Sequence, residues 1–224
     1  MQFIKTRDVK NPERDVNENA GIDFYVPENT PEFRKALCAK NFGLVDTFSN
    51  ESIAESVAMG ISGKMTYDQK LAFLKETYAD YEEHEKQLAM ADECRAQNLS
   101  FILGDTIQIA PHKAIIIPTG IMSKFGPELA LIANNKSGIA TKKQLIFGAS
   151  VIDASYQGEW HINLINTSDH YQHLEFGKKA VQFIPHLIST DPVEIVDMTP
   201  EEFYTERTKR GDGWQGSTDK KETK

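Results

Sequence analysis

Short apolar runs separated by turn residues fill the chain from residue 101 onward. Segments such as Pro118-Thr119-Gly120 and Asn166-Thr167-Ser168-Asp169 interrupt these runs at the spacing of hairpins and meanders, not of crossover helices. The pattern predicts a mainly β fold, either a sandwich or a barrel. The predicted strands lie at residues 106–109, 114–117, 129–133, 144–147, 161–165, 180–184 and 193–196.

Residues 31–100 follow a helical pattern instead. Thr66 and Gln69 have the spacing of a capping box. Apolar residues recur after them on one helical face, at Leu71, Leu74, Tyr78, Tyr81 and Leu88. We predict a long helix at about 67–96 and shorter helices near 31–40 and 50–59. The apolar stripe either packs against its own domain, which is the commoner case, or forms a surface that binds a partner.

Charge and cysteine content exclude several classes of protein. The formal net charge is −8, which argues against direct nucleic-acid binding because that function usually requires a basic excess. No stretch approaches the ~18 apolar residues of a membrane span, and the charged start of the chain does not resemble a signal peptide. Cys38 and Cys94 lack ligand-like spacing. We predict that both are free thiols in a reducing cytoplasm, with a disulfide as the minor alternative.

Five segments carry candidate functional residues. They are Ala20-Gly21-Ile22-Asp23-Phe24, Asn135-Lys136-Ser137-Gly138-Ile139-Ala140, Val151-Ile152-Asp153-Ala154-Ser155-Tyr156-Gln157-Gly158-Glu159, Gly177-Lys178-Lys179-Ala180-Val181-Gln182 and Arg210-Gly211-Asp212-Gly213-Trp214-Gln215-Gly216-Ser217-Thr218. Taken one at a time, these residues remain ambiguous. Asp153 suits a turn as well as a catalytic base, and Tyr156 suits a core as well as a stacking surface.

Together and in this order, the five segments resemble the five motifs of the trimeric dUTPases (dUTP diphosphatases). The resemblance covers roughly residues 1–30 and 101–218 and leaves 31–100 as a helical insertion. It implies a distorted jelly roll of the β-clip type, with residues 1–30 and 101–208 as its core. It also implies a homotrimer with shared active sites, over which residues 209–224 close as a flexible arm.

The activity implied by the resemblance is hydrolysis of dUTP to dUMP and pyrophosphate, which limits uracil in DNA and supplies dUMP. The enzyme would act in the cytoplasm, or in the host cytoplasm if it is viral. By the resemblance, Asp153 activates the water that attacks the α-phosphorus, and Tyr156 packs on the deoxyribose and excludes a 2′-hydroxyl. Uracil would be recognised by the backbone of a β-hairpin that includes Gly148, Ser150 and His161.

The remaining motif residues are expected to bind the phosphates and the metal, except that Trp214 is expected to stack on uracil. Substrate contacts are implied for Lys136, Ser137, Gly138, Gln182, Arg210, Trp214, Gly216 and Ser217. Mg²⁺ would be held by the substrate phosphates and water, with Asp23 acting on it indirectly through a water molecule. The chain departs from the family pattern at Lys136, where relatives commonly have arginine, at Ser155, where they usually have an acid, and at Trp214-Gln215.

Two alternatives remain at the level of sequence. A dCTP deaminase shares the fold but needs a glutamate where this chain has Asn163, which counts against deamination. A regulatory nucleotide-binding protein would keep the pocket and use residues 31–100 to bind a protein partner. That segment has 12 acidic and 8 basic residues, so we expect it to lie at the periphery, away from the triphosphate.

Overall fold

The computed structural model describes residues 1–15, 17, 19–48, 83–206 and 208. The chain forms two compact units, Met1–Ser189 and Thr190–Lys224. In the first unit the helices are α1 (Pro31–Lys40), α2 (Glu83–Ala96) and α3 (Ser137–Lys143). Its strands are β1 (Gln2–Lys5), β2 (Ile22–Tyr25), β3 (Val45–Asp46), β4 (Phe101–Leu103), β5 (Thr106–Ile109), β6 (Ala114–Pro118), β7 (Ile121–Lys124), β8 (Leu129–Asn135), β9 (Leu145–Phe147), β10 (Val151–Asp153), β11 (His161–Asn166), β12 (Gln172–Glu175) and β13 (Lys179–Leu187).

Within the described residues these strands form four small sheets. Their orders are β1-β7, β10-β8-β13-β2, β6-β11-β9 and β12-β5-β4-β3. All pairs are antiparallel except β3 with β4. The mainly β prediction is confirmed, and six of the seven predicted strands coincide with observed ones to within a few residues.

An aromatic cluster lies at the centre of the first unit. Trp160 is fully buried and stacks on Phe24, with 5.1 Å between the ring centroids. Phe183 packs against both rings at 4.9–5.0 Å. Phe24 of β2 and Phe183 of β13 belong to one sheet, and Trp160 directly precedes β11 of another. Their contact therefore holds these two sheets together.

The start of the predicted insertion is part of the same core. Phe33 and Leu37 of α1 are 1% and 0% exposed, and the Phe33 ring meets the Phe176 ring edge-on at 5.9 Å. Thr30 caps the helix by accepting a hydrogen bond from the Phe33 amide. The predicted helix near 31–40 is therefore confirmed. The start of the predicted insertion is therefore not separate from the β fold. α1 packs in the core, and β3 adds an edge strand to β4.

The end of the predicted long helix is helical from Glu83 to Ala96. Its buried side is formed by Met90, Ala91 and Cys94, whereas Leu88 is 42% exposed. Leu88, which belongs to the predicted apolar stripe, is therefore not part of the buried side. The predicted helix near 50–59 and residues 67–82 of the long helix lie outside the described residues.

Neither cysteine forms a disulfide, as predicted. Burial raises the pKa of the Cys94 thiol to about 12. Among the described residues, no helix combines the length and the apolar character needed to cross a membrane.

The second unit contains one short helix, α4 (Pro200–Phe203), which begins with a capping box between Thr199 and Glu202. Residues 193–196 do not form the predicted strand. Val193 and Ile195 are 93% and 94% exposed. Alternating apolar residues predict a strand only where a neighbour can bond its backbone, and none of the described strands pairs with this segment.

Candidate active site

Strand β8 connects the motif residues that the structure describes. On one side it pairs with β10, placing Ala130 opposite Asp153. On the other side it pairs with β13, placing Asn134 opposite Gln182, and Gln182 is in turn opposite Asp23 of β2. The predicted site residues therefore fall into two groups, one at each end of β8.

The first group is an ion-pair cluster at the C-terminal end of β8. The Lys136 Nζ donates to Asp23 Oδ1 at 2.6 Å, and the Lys179 Nζ lies 2.9 Å from Asp23 Oδ2. The Asp23 side chain is 5% exposed, whereas the lysine side chains are 29% and 39% exposed. Burial acts to raise the pKa of Asp23, but the hydrogen bonds and charges of Lys136 and Lys179 outweigh it, so this pKa lies below its ordinary value.

Gln182 lies beside this cluster. Its Nε2 is 3.5 Å from the Asn135 carbonyl oxygen, a long contact that leaves the amide largely available. A Cβ on Gly21 would come within 3.0 Å of both Cβ and Oε1 of Gln182. Gly21 therefore provides the space in which the Gln182 side chain lies, which explains why glycine precedes Asp23 by two residues.

Lys136, Ser137 and Gly138 lie at the start of a helix. Lys136 is the N-cap of α3 without a side-chain capping bond, because an ammonium group cannot accept a hydrogen bond from the helix amides; it donates to Asp23 instead. Ser137 and Gly138 are exposed, and no atom lies within 4 Å of where a Gly138 side chain would start. Their backbone is thus open to a ligand beside the cluster.

The second group lies at the other end of β8, where β10 ends. Asp153 is exposed, and its carbonyl accepts a hydrogen bond from the Tyr156 amide at 3.1 Å, which closes a tight turn. Tyr156 is 41% exposed, and its hydroxyl donates to the Glu159 carbonyl at 2.9 Å. The structure therefore presents a carboxylate and an aromatic ring together to solvent.

The segment expected to recognise uracil does not form a simple hairpin. β9 belongs to a sheet with β11, whereas β10 belongs to the sheet of β8, so residues 148–150 pass from one sheet to the other. The Gly148 amide donates to the Asn163 carbonyl at 2.9 Å, and the Ser150 carbonyl accepts from Ala133. These backbone groups are committed to the fold, and the hairpin prediction is wrong for this segment.

His161 and Asn163 follow each other on one face of β11. Burial, followed by the charge of Lys40, lowers the pKa of His161. The side-chain atoms His161 Nε2 and Asn163 Oδ1 are buried without a hydrogen-bond partner. A neutral Asn163 at this position is consistent with the sequence-based argument against a deaminase.

The two groups are far apart within one chain. Ala130 and Asn135 are separated by five residues of extended strand, which corresponds to about 16 Å. The structure brings together Asp23, Lys136 and Gln182, and it separately brings together Asp153 and Tyr156. Arg210, Trp214, Gly216 and Ser217 lie outside the described residues.

Sequence reasoning missed two contacts of these groups. Lys179 was quoted only as part of a motif, although its amine lies 2.9 Å from Asp23 Oδ2. Glu159 was quoted only as part of a motif, although it accepts hydrogen bonds from Arg7 at 2.7 Å and from the Gly120 amide at 2.6 Å. The position of Lys179 in a motif could have pointed to its role. Nothing in the sequence pointed to the Arg7–Glu159 contact, because the two residues are 152 positions apart.

The cluster around Asp23 does not fit a metal ion held by protein ligands. Both carboxylate oxygens of Asp23 already contact lysine amines. Within the described residues, no group of three or more His, Cys, Asp or Glu side chains could hold a metal. An Mg²⁺ ion that arrives with a triphosphate has most of its ligands from phosphate and water and does not need such a group.

Comparison with known proteins gives these motifs a family. The family model for dUTPases matches residues 102–219, which is just over half of the chain. The chain belongs to the dUTPase family. A deoxyuridine 5′-triphosphate nucleotidohydrolase from Arabidopsis thaliana is 34% identical over 106 residues, which cover 47% of this chain and 55% of the relative. One from a Picosynechococcus strain is 30% identical over 116 residues, covering 51% and 78%.

Solved structures agree on the fold of this dUTPase family member. The dUTPase of Staphylococcus bacteriophage 80alpha, solved with dUPNHPP, is 14% identical and has a TM-score of 0.54. The match covers 96% of this chain and 96% of the phage protein. The sequence-based predictions of a dUTPase-like jelly roll, of the family and of the enzyme class, a dUTP diphosphatase, are confirmed.

Proposed function

We propose that this chain hydrolyses dUTP to dUMP and pyrophosphate by attack of an activated water on the α-phosphorus. The observation that supports this proposal most strongly is the pair of groups at the ends of β8. One group offers cations and an amide, which suit phosphates, and the other offers an exposed carboxylate beside an exposed aromatic ring. Both consist of residues from the dUTPase motifs.

Asp153 is the proposed general base. Its carboxylate accepts a proton from the attacking water, the new P–O bond forms at the α-phosphorus, and the bond to the β-phosphate oxygen breaks to release pyrophosphate. Tyr156 packs its ring on the deoxyribose. The tight turn between Asp153 and Tyr156 sets the distance between the catalytic carboxylate and the deoxyribose.

Lys136, Ser137, Gly138 and Gln182 are the proposed phosphate contacts. The Lys136 amine contacts Asp23 and, in this proposal, also the substrate. While Lys136 binds phosphate, Lys179 keeps Asp23 in an ion pair. The positive charge of this cluster compensates the triphosphate charge. Asp23 thus acts on the substrate through the lysines, and Mg²⁺ enters as part of the Mg²⁺–dUTP substrate.

The complete site requires more than one chain. Residues about 16 Å apart along β8 cannot contact the same α-phosphate, because the reacting groups must approach to about 3 Å. A homotrimer in which one copy supplies Asp153 and Tyr156 and a second supplies Lys136 and Gln182 meets this requirement. The C-terminal arm would then close over the site through Arg210, Trp214, Gly216 and Ser217. The uracil ring would lie beside Gly148, Ser150 and His161.

The test is pyrophosphate release from dUTP, dCTP, dTTP and UTP at equal concentration with Mg²⁺, with ammonia release from dCTP measured in parallel. We expect fast turnover of dUTP and at least about 10²-fold lower kcat/KM for the others, because UTP and dTTP add a group that the site excludes and dCTP presents an amine where dUTP has a carbonyl. Ammonia release, or equal turnover of all four nucleotides, would contradict the proposal. Binding of dUTP without turnover would favour the regulatory alternative.

A further inference from the structure

The turn that bears Tyr156 is attached to the rest of the molecule mainly through Glu159. On one side of the turn, Ala154 and Gln157 border a cavity of about 470 Å³, so packing alone does not hold the turn in place. Its one side-chain anchor among the described residues is the bond from the Tyr156 hydroxyl to the Glu159 carbonyl, 2.9 Å long. The position of the ring therefore depends on the position of Glu159.

Glu159 is itself fixed by two donors. Its Oε2 accepts from Arg7 Nη2 at 2.7 Å, and its Oε1 accepts from the Gly120 amide at 2.6 Å. The side chains of Arg7 and Glu159 are 15% and 19% exposed, so the pair is shielded from solvent and screened less than a surface pair. Charge-assisted bonds of this kind are short and directional, and they suit a positioning role.

The two donors are linked to each other through the backbone. The Thr6 amide donates to the Gly120 carbonyl at 2.8 Å. Gly120 has φ = +74°, and a Cβ there would lie 2.8 Å from a Val9 methyl group and 3.0 Å from the Arg7 side chain. Glycine at 120 thus allows the segment after β1 to lie close enough for Arg7 to reach Glu159.

We infer that Arg7 and Glu159 are positioning residues that set the location of the Tyr156 ring and thereby the preference for deoxyribose over ribose. This inference rests on the proposed function. The Arg7–Glu159 pair fixes the loop backbone, the Glu159 carbonyl fixes the Tyr156 hydroxyl, and the fixed ring leaves no space for a 2′-hydroxyl. A ring released from this chain of contacts moves away from the sugar and admits the larger ribose.

The experiment measures kcat/KM for dUTP and UTP in four single variants. Glu159→Gln keeps the shape and the backbone carbonyl acceptor, and Arg7→Lys keeps the charge but loses the fixed geometry of the guanidinium donor. Tyr156→Phe removes only the hydroxyl. Arg34→Lys is the matched control, because Arg34 forms a similarly buried pair with Asp46 at 3.1 Å that has no contact with this turn.

We expect Glu159→Gln and Arg7→Lys each to lower the dUTP-to-UTP ratio of kcat/KM by about tenfold, mainly through faster use of UTP, while Arg34→Lys leaves the ratio unchanged. Tyr156→Phe combined with Glu159→Gln should lower the ratio no further than the more severe single change, because both act through one hydrogen bond. Thermal unfolding confirms that the compared variants are folded. If Arg7→Lys does not fold, Glu159→Gln and Tyr156→Phe suffice for the test.

Unchanged ratios in Glu159→Gln and Arg7→Lys, or additive effects with Tyr156→Phe, would overturn the inference. An equal fall of the ratio in Arg34→Lys would also overturn it, since the effect would then be one of general stability. A wild-type chain that does not hydrolyse dUTP would instead refute the proposed function, and that result is visible before any variant is made.

Discussion

The two ends of β8 bear polar groups of opposite character. At one end Asp23 is nearly buried and paired with two lysines, so it contributes to the fold whether or not a nucleotide is bound. At the other end Asp153 and Tyr156 are exposed on a turn that few contacts restrain. On the proposed trimer, one end is already assembled in a single chain, while the other is completed by a second copy. Substitutions at the two ends should therefore have different consequences.

The largest effect is expected at the exposed end. Asp153→Asn should lower kcat for dUTP by about 10² or more, because a positioned general base is lost. The free energy of unfolding should change by less than about 0.5 kcal/mol, because the side chain is exposed. Steady-state kinetics and denaturant unfolding of the same preparation provide both values. Near-normal turnover would place the base elsewhere.

The buried end should respond mainly in stability. Asp23→Asn should lower the free energy of unfolding by about 1–3 kcal/mol, since it leaves two lysines without their charged partner. The pKa of Asp23 is lowered in the folded state, so its contribution is complete above the ordinary value of 3.8 and is lost as the pH falls through the lower folded value.

Denaturant unfolding at a series of pH values tests this second prediction. The stability difference between wild type and Asp23→Asn should be constant at neutral pH and should shrink only below pH 3.8. A difference that is the same at all pH values would mean that the ion pairs are not its cause. A change in kcat without a change in stability would remove the contrast between the two ends.

A smaller effect is expected for Lys136, which pairs with Asp23 and is also a proposed phosphate contact. Lys136→Gln should raise KM for dUTP by about tenfold, the size expected for one charge-assisted bond, and should leave kcat nearly unchanged. Lys142→Gln is the matched control, because Lys142 is exposed in the last turn of the same helix. Equal effects of the two substitutions would indicate a long-range influence of charge instead of a contact with phosphate.

Sequence predicted the features that depend on local patterns. Most strands from 101 to 187 follow from apolar runs bounded by turn residues, and α1 coincides with the helix predicted near 31–40. The prediction at 193–196 was wrong because alternation does not reveal whether a partner strand exists. Similarly, sequence did not predict that α1 and β3 belong to the core, since the contact of Phe33 with Phe176 joins residues far apart in the chain.

The candidate site was predictable as a list of residues but not as an arrangement. Asp153 and Lys136 are only 17 positions apart in sequence, yet they lie at opposite ends of β8 because β10 pairs with Ala130. The pairing of Lys179 with Asp23 and of Arg7 with Glu159 depends on which strands become neighbours. These contacts decide which residues act together, and no local motif encodes them.

The central claim is that each site combines opposite ends of β8 from different copies. It is tested most directly by mixing two variants, Asp153→Asn and the double variant Lys136→Gln with Gln182→Ala, and measuring dUTP hydrolysis at low substrate concentration. If subunits assemble at random, about one site in four combines an intact Asp153 from one copy with intact Lys136 and Gln182 from another, so about a quarter of wild-type activity should return. Activity no higher than that of the two separate variants, in mixed trimers verified by differential tags, would contradict the account.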